Sequence, residues 1–235
     1  MAFSLRERML DVRVLATNGS AARCERWLRA TRDVPKSWVV VKRLADLVVS
    51  GLMLVILTPL FFAVALAIKL TSDGSVLFTQ TRVGRGGRLF RLYKFRTMLD
   101  GAHLLHDHVA HLNQVDGPAL KISNDPRLHG IGAFLRRTSI DELPQLWNVL
   151  RGDMSLVGPR PALPREVHDY QPHYMQRLTV TPGLTGLWQV SGRARVSFRR
   201  WMAMDAWYVR HWTPLVDAAI LLRTIPAVVR GEGAC

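Results

Sequence analysis

One unbroken apolar stretch dominates the pattern of hydrophobic and polar positions. From Leu47 to Ile68, 22 residues, every position is apolar or small except Thr58. As a straight helix these residues would reach about 33 Å, at ~1.5 Å per residue, which is enough to span the hydrocarbon core of a bilayer. The centre of the stretch is Thr58-Pro59, and proline removes a backbone donor and clashes with the preceding turn. The sequence therefore predicts a helix that kinks or breaks at Thr58 and Pro59.

Basic residues flank this stretch on both sides. Seven basic and two acidic residues lie between Arg23 and Arg43, and six basic residues and no acidic one lie between Arg82 and Arg96. The positive-inside rule places both flanks in the cytoplasm, which one straight span cannot do. A helix that enters the membrane, bends at Pro59 and returns satisfies both flanks. We prefer this re-entrant form, and a kinked spanning helix and a buried helix of a soluble protein are the alternatives.

The rest of the pattern predicts helices around one small sheet. Strand-forming residues on both sides of a glycine-rich turn predict a β-hairpin over 75–98. Predicted helices cover 101–115, 132–137, a segment that starts at Ser139, 163–178, 197–211 and 214–230, and a loop or short strand is expected at 181–193. The predicted fold class is α+β and mostly helical: a re-entrant membrane helix hairpin, interfacial amphipathic helices and a small β-hairpin.

The composition indicates which classes of binding partner the protein favours. Lys and Arg number 32 against 18 Asp and Glu, which gives a net charge of +14, and 49% of the residues are hydrophobic. This excess favours polyanions, whether nucleic acid, anionic lipid or phosphorylated small molecules, and composition does not choose among them. Cys24 and Cys235 form neither a disulfide framework nor a zinc-ligand spacing, which suits a reducing cytosol.

The segment 138–161 carries the strongest candidate chemistry. Ser139 and Glu142 have the spacing of a capping box that opens a helix, so Asp141 and Glu142 are expected on its first turn. There the helix dipole and unpaired amides favour ionised carboxylates, and one carboxylate can serve as a nucleophile and the other as a metal ligand. The alternative is that both residues only cap the helix.

Basic residues surround this pair in the sequence. Arg136 and Arg137 directly precede it, and Arg160 lies in a stiff Gly-Pro-Arg-Pro segment that holds a guanidinium at little ordering cost. Lys94 and Arg96 are two apart on a predicted strand and so share one face. Taken alone, each residue is better explained as solvated surface or as a lipid-headgroup contact, but together they predict a diphosphate site.

Aromatic and basic residues alternate along the predicted helix 197–211 and just beyond it. The set is Trp201, Trp207, Tyr208 and Trp212 with Arg199, Arg200 and Arg210. Beside a membrane segment we interpret it as an interfacial helix, with rings at headgroup depth and guanidinium groups at lipid phosphates. Nucleic-acid stacking and a packed core helix are the alternatives.

Several long motifs occur in one order. They are KRLADLVVS, the proline-centred apolar stretch, SDGSVLFTQTRVGRGGRLFRLYKFRTM, KISNDPRLHGIGAFLRRTSIDELPQLWNVLRGDMSLVGPRP and PGLTGLWQVSGR. On these motifs residues 38–235 resemble the monotopic phosphoglycosyl transferases, also called bacterial sugar transferases. The break of the re-entrant helix in that family is a Ser-Pro pair, and this chain has Thr58-Pro59 instead.

The resemblance implies an activity. The family transfers a sugar-1-phosphate from a UDP-sugar to undecaprenyl phosphate and releases UMP. Asp141 would attack the sugar-bearing phosphate to give an acyl-phosphate intermediate, and Glu142 would help to hold Mg²⁺. Lys94, Arg96 and Arg193 match basic positions of the family and would contact phosphate or nucleotide.

The resemblance also implies an organisation. We expect a short, stand-alone member of an exopolysaccharide or O-antigen-type pathway that uses galactose or glucose. Residues 1–37 would form a basic N-terminal extension, 38–72 the re-entrant helix and 73–235 a cytoplasmic catalytic domain with interfacial helices. The expected place is the cytoplasmic face of the bacterial inner membrane, among anionic lipids, without nucleic acid, and a homodimer is compatible with the family.

Three other functions remain open from the sequence. A membrane-tethered nucleic-acid-binding protein would use the positive charge, but it gives Asp141 and Glu142 no role. A noncatalytic membrane scaffold would tolerate loss of the Asp141 carboxylate. An ordinary glycosyl transferase would release UDP instead of UMP.

Overall fold

The computed structural model describes residues 34–99, 101–102, 122, 125–192 and 196–230. The predicted N-terminal extension up to residue 33, most of the predicted helix 101–115 and Arg193 lie outside these residues.

The described residues form a mostly helical α+β fold. Its α-helices are α1 (Lys36–Ile56), α2 (Thr58–Thr71), α3 (Gly132–Arg137), α4 (Gln145–Arg151), α5 (Pro164–His168), α6 (Leu187–Val190), α7 (Phe198–His211) and α8 (Pro214–Val229). Three short 3-10 helices are Arg85–Gly87, Ile140–Glu142 and Pro172–Thr179. The strands are β1 (Leu77–Val83), β2 (Leu89–Phe95), β3 (Ser155–Val157) and β4 (Gly183–Thr185).

Helices α1 and α2 meet in a sharp bend. They are joined at Leu57 and inclined by 59°, and the bend directly precedes Thr58-Pro59. The Thr58 hydroxyl donates to the Leu54 carbonyl at 2.9 Å, which bridges the turn that proline interrupts. Within the described part of the chain no single helix is long and apolar enough to cross a membrane, whereas the bent pair passes by length and composition.

The outward faces of α1, α2 and α8 are apolar. Their exposed side chains include Val48, Leu52, Val55, Phe62, Leu66, Leu70, Leu215, Leu222, Ile225 and Val229. We call these ten residues the apolar surface. So many exposed large apolar side chains on three helices are unusual in a soluble monomer and suit contact with lipid.

The inward face of α1 is polar and carries a buried aspartate. Asp46 accepts hydrogen bonds from the Leu156 amide at 2.9 Å and the Ser155 hydroxyl at 3.1 Å. Ser50, one turn further on, is also fully buried and bonds back to the Asp46 carbonyl. Because Ser155 and Leu156 belong to β3, this polar face attaches the bent helix pair to the strand that leads to Arg160.

Two basic residues extend the same attachment. Arg43 donates to the Val149 and Leu150 carbonyls at 2.7 and 2.8 Å, in the last turn of α4, where a positive charge is favourable. Lys42 donates to the Val157 carbonyl at 2.9 Å and pairs with Asp217 of α8 at 2.5 Å. The helix α1 is therefore fixed to β3, α4 and α8 at once.

The predicted β-hairpin is present as β1 and β2, which pair antiparallel from Leu77–Phe95 to Val83–Leu89. Asn148 of α4 binds the free edge of β2: its side-chain oxygen accepts from the Tyr93 amide at 3.1 Å and its nitrogen donates to the Arg91 carbonyl at 2.8 Å. The side chain thus continues the sheet by one pair of hydrogen bonds and fixes α4 against β2.

A second, parallel sheet was not predicted. Ser155 pairs with Gly183 and Val157 with Thr185. A side chain at Gly183 would place its Cβ 2.0 Å from the Gly158 nitrogen. The two backbone segments therefore pass too close to each other for any residue but glycine at position 183. The strands are only three residues each, and so short a pairing leaves almost no periodic signal.

Two helix predictions are wrong in part. The predicted helix 163–178 is broken into α5 and the 3-10 helix Pro172–Thr179. The predicted helix 197–211 exists as α7, but three of the four rings assigned to the membrane interface, Trp201, Tyr208 and Trp212, are buried. These three rings belong to a packed core helix, the alternative given above, because α7 packs on the 3-10 helix Pro172–Thr179 and on α6. The exposed apolar residues lie on α8 instead.

Candidate active site

The two candidate catalytic carboxylates lie in a tight turn between α3 and α4. Asp141 and Glu142 belong to the 3-10 helix Ile140–Glu142, whereas α4 begins only at Gln145. The predicted capping box is wrong: Ser139 has φ 58°, in the left-handed region, and its side chain caps nothing. The abrupt reversal between two short helices requires this conformation, which replaces the extended geometry that an N-cap residue needs.

Asp141 is buried, and this changes the expectation of a fully ionised pair. Burial raises the pKa of Asp141 to about 6; the positive charge of Lys94 opposes the shift, and the negative charge of Glu142 adds to it. At neutral pH the carboxylate is therefore mostly ionised, yet poorly solvated. A desolvated carboxylate is a stronger nucleophile than one covered by water.

Lys94 connects both carboxylates. From β2 its ammonium pairs with Glu142 at 2.5 Å and lies 3.9 Å from Asp141. The short contact is to the more exposed carboxylate, with side-chain exposures of 34% for Glu142 and 8% for Asp141. The hairpin thus supplies the nearest positive charge to the dyad, and Asp141 keeps an oxygen that Lys94 does not bind closely.

The structure also shows the surroundings of two further predicted basic residues, Arg136 and Arg160. Arg136 donates to the Thr97 hydroxyl at 3.0 Å, and its charge lowers the pKa of Asp141, against the larger effect of burial. Arg160 follows β3 on the Gly-Pro-Arg-Pro segment, with its guanidinium 5.8 Å from the centre of the Trp201 ring. Within the described residues the Arg160 side chain has no hydrogen bond or ion pair, so its donors are open to a ligand.

The remaining predicted contacts are placed differently. Arg96 is buried and donates to the Ser75 and Ser72 carbonyls at 2.6 and 3.1 Å and to the Ser72 hydroxyl at 2.9 Å, which fixes the end of α2 to the hairpin. Arg137 is exposed on the last turn of α3. Arg193 lies outside the described residues. Phosphate contact by these three arginines stays a prediction.

Sequence reasoning missed three buried residues that shape the site. Arg82 and Arg177 hydrogen-bond the segment that carries Arg160, and Asn148 fixes α4, which follows the dyad, to β2. Arginines were interpreted as surface charge, and nothing in their spacing distinguishes a buried guanidinium from an exposed one.

The donor set is compatible with Mg²⁺ that is shared with a substrate. In the described part of the chain no group of three His, Cys, Asp or Glu side chains converges, so a complete protein cage is absent there. Mg²⁺ commonly takes only one or two carboxylates and completes its shell with phosphate oxygens and water. Glu142, the more exposed carboxylate of the dyad, meets that requirement.

Comparison with known proteins gives a consistent family. Residues 37–231 match the family described as bacterial sugar transferase. The chain is 44% identical over 201 residues to undecaprenyl-phosphate galactose phosphotransferase of Salmonella typhimurium, which covers 83% of this chain and 41% of that protein. It is 38% identical to exopolysaccharide production protein ExoY of Rhizobium meliloti (83% and 88%) and 42% identical to UDP-glucose:undecaprenyl-phosphate glucose-1-phosphate transferase of Caulobacter vibrioides (82% and 71%). The chain thus spans less than half of the Salmonella relative and most of the ExoY relative.

Proposed function

Because the chain belongs to the bacterial sugar transferase family, we propose that it transfers a hexose-1-phosphate, of galactose or glucose, from a UDP-sugar to undecaprenyl phosphate. The names of the Salmonella and Caulobacter relatives supply the acceptor and the two hexoses. The observation that carries the proposal is the buried Asp141 carboxylate beside Lys94, with Arg136 close enough for its charge to act on the same carboxylate.

In the first step an Asp141 oxygen attacks the sugar-bearing phosphorus of the donor. A new P–O bond to the carboxylate forms as the bond to UMP breaks, and the bridging oxygen leaves with UMP. Lys94, Arg136 and Arg160 offset the negative charge that would otherwise repel an anionic nucleophile from a diphosphate. Their side chains are already held by Glu142, Thr97 and Trp201, so little ordering is required at the moment of reaction.

In the second step a phosphate oxygen of undecaprenyl phosphate attacks the same phosphorus. The acyl-phosphate bond breaks, Asp141 is restored as a carboxylate, and the sugar becomes linked to the lipid through a diphosphate. One carboxylate thus takes and gives the phosphosugar in a ping-pong order. Glu142 would hold Mg²⁺ together with the donor phosphates, and this ion would neutralise part of their charge.

We further propose that the bent pair of α1 and α2 enters the membrane and returns, at the cytoplasmic face of a bacterial inner membrane. The support is the 59° bend and the apolar surface, together with basic flanks on both sides. A lipid phosphate at the bilayer surface would then meet a catalytic carboxylate at the same height. This reaction would be an early membrane step of exopolysaccharide or O-antigen-type glycan assembly.

The test uses protein in mild detergent with Mg²⁺, undecaprenyl phosphate and a panel of UDP-sugars, with the released nucleotide as the readout. Wild-type protein is expected to release UMP with UDP-galactose or UDP-glucose, and Asp141→Ala is expected to release none. Asp169→Asn, which neutralises an exposed aspartate paired with His168, is the matched control and is expected to react normally.

Two outcomes would contradict the proposal. Release of UDP would indicate ordinary glycosyl transfer. Absence of turnover with every donor, in folded protein that binds lipid vesicles, would favour a noncatalytic scaffold.

A further inference from the structure

The segment that carries Arg160 is fastened by two buried arginines. Arg177 donates to the carbonyl of Arg160 at 2.7 Å, and Arg82 donates to the carbonyl of Pro161 at 3.0 Å. These are consecutive carbonyls of a loop, a place where the backbone ordinarily faces water. Each instead accepts a hydrogen bond from a guanidinium: Arg177 belongs to the 3-10 helix Pro172–Thr179, and Arg82 belongs to β1.

Arg177 is itself rigidly held. Its side chain is 2% exposed, pairs with Asp205 at 2.9 Å and donates to the Tyr170 hydroxyl. Its guanidinium also lies 5.2 Å from the centre of the Trp201 ring, the ring that supports Arg160. A fully buried guanidinium with this many partners has one orientation, so the carbonyl it binds is fixed as well.

Arg82 has a less favourable environment. It is buried, donates to the Gln80 side chain at 2.6 Å, and its Nε has no partner among the described residues. Burial and, next, the positive charge of Arg160 lower the pKa of Arg82 to about 9, although Glu166 and Glu142 act in the opposite direction. A buried cation beside another cation is unfavourable for folding, and such arrangements are concentrated at functional sites.

We propose that Arg82 and Arg177 are positioning residues that hold the consecutive carbonyls of Pro161 and Arg160 and so aim the Arg160 guanidinium at a substrate phosphate. The backbone of Arg160 is fixed by these two hydrogen bonds, its side chain rests on Trp201, and its donors stay open. This inference rests on the proposed function, because it assumes a phosphorylated substrate at the dyad.

A double-mutant cycle tests whether Arg82 acts through Arg160. Arg82→Lys keeps the charge but loses the planar fork that reaches Pro161 and Gln80 together. We expect Arg160→Ala to weaken binding of UDP about 10- to 100-fold and Arg82→Lys about tenfold, both measured by calorimetry with Mg²⁺. In the Arg160→Ala background, Arg82→Lys is expected to change the affinity less than about twofold.

Arg91→Lys is the matched control, because Arg91 is exposed on the neighbouring strand, and it is expected to bind UDP like the wild type. Thermal unfolding of every variant verifies the fold. Arg177 is not the residue to vary first, since loss of its buried ion pair endangers folding.

The inference is overturned if Arg82→Lys weakens UDP binding equally with and without Arg160, or if folded wild-type protein binds neither UDP nor inorganic pyrophosphate. The proposed function fails separately: UDP would bind, but no UDP-hexose would yield UMP. In that case the binding cycle still decides the role of Arg82.

Discussion

The half that carries the apolar surface and the half that carries the candidate active site differ in which side chains they expose and which they bury. On α2 and α8, large apolar side chains such as Phe62 and Leu222 are 74% and 69% exposed. In the other half, the ionisable side chains of Asp141, Arg82 and Arg177 are almost completely buried. The contrast indicates two different surroundings: the first half exposes the kind of side chains that suit contact with lipid, whereas a network of hydrogen bonds stabilises the second. Asp46 and Lys42, on the inward face of α1, join the two halves.

Removal of the Asp141 charge is expected to have the largest effect, because it replaces a buried ionised group of the half that carries the candidate active site by a neutral one. Asp141→Asn removes the nucleophile, so UMP release is expected to fall at least about 1,000-fold. The pKa of Asp141 is raised in the folded protein, so its contribution favours folding below pH 4 and is lost as the pH rises through about 6. The same variant is therefore expected to be more stable than the wild type at pH 7.5, by about 1–3 kcal/mol.

Denaturant unfolding at pH 7.5 and pH 4 measures this trade-off. The stability difference should shrink at pH 4, where the wild-type carboxyl is mostly protonated. A variant that is equally stable or less stable at pH 7.5 would show that Lys94 fully compensates the buried charge.

Loss of Asp46 separates the two halves. Asp46→Ala leaves the buried amide of Leu156 and the hydroxyl of Ser155 without their acceptor. The free energy of unfolding in detergent is expected to fall by about 2–3 kcal/mol. Asp73→Ala, on the exposed loop after α2, is the control and should change stability by less than about 0.5 kcal/mol. Equal effects in the two variants would contradict the role of Asp46 as an anchor.

The pH profile sharpens the description of the catalytic half. Because the pKa of Asp141 is about 6, kcat/KM is expected to be constant above pH 7 and to fall about tenfold per pH unit below pH 5.5. Lys94, Glu142 and Arg136 are the charged groups that act on the same carboxyl. Burial also raises the pKa of Asp205 to about 6, so the profile is repeated with Asp205→Asn. Because this variant loses the buried ion pair with Arg177, its thermal unfolding is measured first to verify the fold. An unchanged midpoint assigns it to Asp141, and a lost midpoint assigns it to Asp205.

The apolar surface is expected to give the smallest effect on folding. Leu222→Ser replaces an exposed residue, so stability in detergent should change by less than about 0.5 kcal/mol. Binding to vesicles that contain anionic lipid should weaken three- to tenfold, about 0.7–1.4 kcal/mol, because one apolar contact with lipid is lost. Leu146→Ser, in the core, is the comparison variant. It should lower the free energy of unfolding several times more than Leu222→Ser does. Unchanged vesicle binding would place α8 away from the membrane.

Elements with a regular pattern over many consecutive residues were predicted correctly, whereas contacts between segments distant in sequence were not. The apolar stretch with Pro59 predicted the bent helix pair, and the strand formers around the glycine turn predicted the hairpin. The parallel pair of β3 and β4 was missed because it depends on a close glycine crossing between segments distant in sequence. Such a contact has no local signature.

The candidate site, too, was predictable from the sequence only in part. The motif around Asp141 and Glu142 predicted a pair of carboxylates, and the structure places Lys94 beside both of them; their catalytic role stays a prediction. Its electrostatics were not predictable, because the raised pKa of Asp141 depends on burial by residues from other elements. The interfacial interpretation of α7 failed for a similar reason: one helix can present aromatic residues to lipid or to a core, and only its packing decides which.

The attachment of α1 has a consequence for biosynthesis. The partners of Asp46 lie 109 and 110 residues further along the chain, and the carbonyl that receives Lys42 lies 115 residues away. At about 5–20 residues per second, a ribosome needs roughly 5–20 s to supply them after α1 has emerged. During that interval the helix is both too apolar for water and too polar on one face for the bilayer interior. If α1 enters the membrane as proposed, we expect the nascent helix to stay at the lipid headgroups until the residues that bind Asp46 and Lys42 have been synthesised.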